Sequence, residues 1–72
     1  MKIRYFADTD TVYIELTQNP VVESRDLNEY TVIDLDENEN LVAIAVEHAR
    51  ERATIADFSF QQEMIKGVPV DV

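Results

Sequence analysis

Two apolar runs, Thr31 to Leu35 and Leu41 to Val46, enclose the acidic stretch Asp36-Glu37-Asn38-Glu39-Asn40, and nothing else in the chain is as apolar for as long. Both runs are rich in β-branched and aliphatic residues, so the pattern predicts a hairpin. If Glu37 faces Asn40, then Leu35 lies opposite Val42, Ile33 opposite Ile44 and Thr31 opposite Val46. These pairs share one face, because strand side chains alternate, and Asp34 and Asp36 point the other way. The turn is either a two-residue one at Asn38-Glu39, needing positive φ at both positions, or a longer loop with Asn40 left-handed.

The N-terminal pattern predicts a second hairpin. Lys2 to Phe6 and Thr11 to Leu16 flank the polar turn Ala7-Asp8-Thr9-Asp10. Pairing Phe6 with Thr11 sets Tyr5 against Val12, Ile3 against Ile14 and Met1 against Leu16 on one apolar face. The same register places Arg4 beside Tyr13 and Lys2 beside Glu15, a cation–π contact and an ion pair on the wet face. Thr17-Gln18-Asn19-Pro20 ends this unit, since proline cannot donate a ladder bond. Val21 to Leu27 is a weaker, charged strand. Pairing Leu27 with Tyr30 puts Val22 and Ser24 opposite Leu35 and Ile33. Five strands joined by short turns predict an antiparallel meander.

After Val46 the period changes. Glu47 to Ala53 holds strong helix formers and no β-branched residue, predicting about two helical turns. Ser59 with Gln62 has the spacing of a capping box for a second short helix through Lys66, with Gly67 as C-cap. The same letters also alternate (Phe58, Phe60, Gln62, Met64), so a strand over residues 55–66 is the competing reading. The expected fold is α+β, predominantly β: a five-stranded antiparallel meander with one or two short C-terminal helices. One domain spans residues 1–67, with an extended tail over 68–72.

Composition narrows the partners. A chain of 72 residues buries only roughly 60% of its unfolded surface, and without cysteine no disulfide or thiolate site reinforces the core. Fifteen carboxylates against six Lys and Arg give a formal charge of −9. That disfavours nucleic acid and anionic membranes, whose binding rests on cations, and favours a basic protein partner. Met1 to Phe6 reads as a strand with no leader-type apolar run behind it, and a reducing cytoplasm is the expected compartment.

In a meander Leu41 to Val46 is an edge strand, apolar on both faces, and such edges are normally covered or charged. A homodimer covering it is therefore expected, with Leu41, Ala43, Ala45 and Val46 at the interface and Phe58 and Phe60 joining them. The bland reading is intramolecular cover by Phe58, Phe60 and Ile65.

Chemistry is thin. Asp36-x-Asn38-x-Asn40 with Glu47 mimics a calcium loop, but Leu41 stands where that loop needs glycine. Asp8 and Asp10 are explained as turn residues, which bond their own backbone. A single histidine, His48, cannot make a zinc site without cysteine, and a nucleophile–base pair would need it aligned with Ser24 or Ser59. One glycine leaves no phosphate-cradling loop. No catalytic residue, metal or cofactor is expected.

Tyr5, Asp8-x-Asp10-x-Val12-Tyr13-Ile14-x-Leu16, Val22-Glu23-Ser24-Arg25, Val32-Ile33-x-Leu35-Asp36, Asn40-Leu41-Val42-x-Ile44 and Val46-Glu47-x-Ala49 resemble, in this order, the bacterial and archaeal family called domain of unknown function 2283. The resemblance covers roughly residues 2 to 52. It implies a small β-meander with a short helix and no assigned catalytic activity. Some members are proposed as antitoxins of small toxin-like neighbours. The family usually has glycine in the last hairpin turn, where this chain has Glu39 or Asn40. The functional expectation is a non-catalytic protein-binding module, antitoxin-like toward a small basic protein. The alternative is a self-associating structural or small-ligand-binding oligomer.

Overall fold

Five strands form one antiparallel sheet in the structure, a computed structural model that describes residues 1–65 and 68–69. They are β1 (Lys2–Phe6), β2 (Thr11–Glu15), β3 (Glu23–Asn28), β4 (Thr31–Leu35) and β5 (Leu41–Val46). A short helix α1 (Ala49–Arg52) follows, then a two-stranded pair, β6 (Met64–Ile65) with β7 (Val68–Pro69). The expected mostly-β, α+β class is what the chain adopts.

The strand order is a correction. It runs β1-β2-β5-β4-β3, so β5 lies in the middle of the sheet, paired on one side with β2 and on the other with β4. The link between β2 and β3 crosses the ends of two strands, and β2 to β5 make a Greek key instead of a meander. The cause is burial. A strand apolar on both faces, with no charge between Asn40 and Glu47, gains most at the centre, while β3 with Glu23, Arg25 and Asp26 tolerates an exposed edge. The expected exposed edge at Leu41 to Val46 therefore does not exist.

Registers follow the patterns unevenly. The first hairpin has Phe6 opposite Thr11, Tyr5 opposite Val12 and Ile3 opposite Ile14, as the alternation requires. Arg4 lies 5.5 Å from the Tyr13 ring centre, but its carboxylate partner at 3.9 Å is the diagonal Glu15, which the pattern had given to Lys2. Between β4 and β5, Thr31 opposes Val46 and Ile33 opposes Ile44; then a bulge sets Leu35 against Leu41 instead of Val42. Between β3 and β4 the expected register is one residue out: Arg25 opposes Ile33 and Glu23 opposes Leu35. A second bulge between Asp26 and Asn28 shifts the pairing by one more residue, setting Asn28 against Thr31; no alternation pattern encodes such an extra residue.

The turn after β4 matches neither expected form. Its left-handed residue is Glu39 (φ 62°), in a three-residue loop where Glu39 N donates to Asp36 O and Asp36 N to Asn40 O. Asp36 explains why a glutamate is held there. One carboxylate oxygen, Oδ1, accepts from Asn38 N and Asn40 N, both at 2.9 Å, and Oδ2 accepts from Asn19 Nδ2 at 3.2 Å. These bonds fix the loop and tie it to the link between β2 and β3. Leu16 N and Val22 N reinforce that tie by donating to the carbonyls of Val42 and Leu35.

Asp10 does the equivalent at the other end of the sheet. Its carbonyl accepts from Ala49 N, its carboxylate from Arg50 N and the Tyr5 hydroxyl, and Ala49 is wholly buried. The helix anchored there is shorter than expected, because His48 is left-handed (φ 53°) and Ala53 already extended. The second helix does not form: residues 59–63 are non-helical and Met64–Ile65 is a strand, the period-two pattern prevailing. Lys66, Gly67 and residues 70–72 of the expected helix and tail lie outside the described residues. No helix among those described is long and apolar enough to cross a membrane.

Candidate protein-interaction surface

The two faces of the sheet differ in kind. One carries Ile3 and Tyr5 of β1, Val12 and Ile14 of β2, Ile44 and Val46 of β5 and Ile33 of β4, as their cross-strand pairing dictates. The other carries Arg4, Tyr13, Ala43, Ala45, Asp34 and Ser24. A sheet this size must bury its apolar face against something. Here the irregular segment 53–60 lies over the β1–β2 half, and Arg50 of α1 lies over the Tyr5 ring. Between that segment and the sheet runs an open groove of about 790 Å³, walled by Ile3 and Ile14 on one side and Ile55, Phe58 and Phe60 on the other. Among the described residues Asp57 is its only charged wall residue.

The cover is incomplete. Ile3 stays 37% exposed, Phe58 67% and Phe60 60%, and Ile14, Ile33 and Ile44 are only half-buried. The tightly packed residues are few: Val12, Leu35, Val42, Ala43 and Ala49.

Of the six residues expected at an interface, the structure does not make one surface. Ala43 is fully buried at the sheet centre, Ala45 is on the opposite face from Val46, and Leu41 is partly exposed at the start of β5. Phe58 and Phe60 alone border the groove. Ile3 and Ile14, which supply its floor, were legible as one apolar face in the first hairpin, but the alternation reads identically for a covered and an open face.

The opposite face carries a polar network. Tyr13 donates to Asp34 Oδ2 at 2.8 Å and Ser24 to Asp34 Oδ1 at 2.6 Å. The carboxylate acceptor holds the Tyr13 proton and raises its pKa above the ordinary phenol value, as Asp10 does for Tyr5. In a spectrophotometric titration, Tyr13 is expected to ionise above about 10, and Asp34→Asn to bring it back down. Superimposable curves would refute the assignment.

These groups do not assemble a catalytic set. Ser24 is committed to Asp34, whereas His48 stands beyond the far end of β5 with its ring edge-on to Tyr30 at 5.6 Å. Arg52 lies over the same Tyr30 ring at 3.7 Å. Asp36 and Glu47 of the calcium-like spacing are at opposite ends of β5, and Asp36 spends its oxygens on the hairpin. Arg25 is engaged by Glu23 and Glu39, which raises its pKa and lowers that of Glu23.

Among curated proteins no match is found, and none is found among solved structures. A family match does exist, and it covers the whole sheet with the start of α1, leaving out the segment that walls the groove. By that match over residues 2–50, the chain belongs to the family described as Protein of unknown function (DUF2283).

Proposed function

We propose that the chain is a non-catalytic protein-binding module, an antitoxin-like acidic partner of a small basic protein. What supports this is how its few cations are used. Arg4, Arg25 and Arg50 are each occupied by a carboxylate of the same chain. Asp26, Glu29, Glu37, Glu47 and Glu51 are exposed and join no ion pair among the described residues. These five carboxylates are thus presented to solvent at both ends of the sheet. Such a field accelerates encounter with a positive partner and repels nucleic acid.

The test is a pull-down from the native cell at low salt. A basic protein should co-purify and be released at about 1 M salt, where the Debye length is about 3 Å. Recovery of no basic protein at low salt would refute the reading. A second reading, a self-associating structural or small-ligand-binding oligomer, draws on the open groove; it predicts a homodimer indifferent to salt.

A further inference from the structure

We infer that the open groove on the apolar face is the interface of a homodimer, in which Phe58 and Phe60 of each chain pack into the groove of the other. The inference goes beyond the basic partner, which charge alone recommends.

Area is the first argument. A compact monomer of 8.3 kDa exposes roughly 4,600 Å². This chain exposes 5815 Å², an excess of about 1,200 Å². A standard protein interface removes about 800 Å² from each partner, and Ile3, Phe58 and Phe60 at the groove are among the large apolar residues that carry the excess.

The second argument concerns which occupant fits. Among the described residues the groove is walled mainly by aliphatic and aromatic side chains, with Asp57 as the one charged group, a lining suited to an apolar partner surface. The chain's own segment 53–60 is already in place and still leaves both phenylalanines mostly exposed. A second copy supplies the missing chemistry, an apolar face of the same shape, through a self-complementary twofold contact. The Arg25–Glu23–Glu39 cluster, on the β3 edge of this face and at the loop beside it, would form the polar rim. Edge-to-edge pairing is less suited, since β3 is charged and β1 carries Lys2 and Arg4.

Sedimentation equilibrium on the full chain tests this. The wild type is expected to be dimeric at micromolar concentration and to remain so at about 1 M salt. Phe58→Ser with Phe60→Ser should weaken the dimer at least about 100-fold, because buried aromatic anchors carry most of an interface. Both side chains are exposed in the single chain, so an unchanged circular dichroism spectrum is expected. Leu27→Ser, at the exposed β3 bulge, should leave association unaltered. A wild type that stays monomeric at high micromolar concentration, or a double variant as dimeric as the wild type, would overturn the inference.

Discussion

Ala43→Pro is expected to leave the chain largely unfolded at room temperature. Ala43 pairs with Glu15 of β2 and with Asp34 of β4, so whichever neighbour its N–H addresses, a ladder bond is lost. The site is fully buried, and a pyrrolidine ring has no room there. The buried group left without its partner costs about 1–3 kcal/mol, and overpacking adds about 1–3 kcal/mol. A domain of this size has only about 4–11 kcal/mol in total. Far-ultraviolet circular dichroism should show loss of the sheet. Leu27→Pro is the control. Leu27 is left unpaired in the β3 bulge and is 65% exposed, a position where proline is tolerated. If β5 were an edge strand the two variants would behave alike, and equal melting temperatures would contradict the central placement.

Asp36→Ala is expected to lower the melting temperature by several degrees and to flatten the loss of stability in acid. The alanine leaves Asn38 N, Asn40 N and Asn19 Nδ2 without their acceptor, in a loop that holds Glu39 left-handed. The pH argument has a definite sign. Hydrogen bonds from the Asn40 and Asn38 backbone to the carboxylate, with that of Asn19, hold the Asp36 pKa below the ordinary value. Its contribution is therefore complete above the unfolded pKa of about 3.9 and is lost as pH falls through the lower folded pKa. Asp10, lowered chiefly by the Tyr5 hydroxyl, and Glu23, lowered by Arg25, act in the same direction. Stability should be flat from neutral pH to about 5 and fall below about 4. An Asp36→Ala variant with the wild-type acid slope would show that this carboxylate contributes nothing to it.

The two aspartates also separate what could be read early from what could not. Both occupy turns, as their residue type suggests, and a turn is all that local chemistry indicates. Neither residue shows in the sequence that it holds a remote segment: Asp10 the start of α1, forty positions away, and Asp36 the link at Asn19. The groove was half legible for the same reason. Its floor, Ile3 and Ile14, follows from cross-strand alternation. Its other wall depends on where an irregular segment settles, and residues 53–60 have no period that specifies it. The expected interface failed at Ala43 because the same two-sided apolar character suits an open edge needing a partner and a central strand that already has two.

By itself the sequence determined the five strands, the exact pairing of the first hairpin, most of the β4–β5 register and an acidic surface, because these follow from period-two alternation and charge count. Only the tertiary structure decided the strand order, the two bulges and which apolar face is left open. Those depend on long-range competition for burial, in which the strand able to lose both faces from water takes the centre.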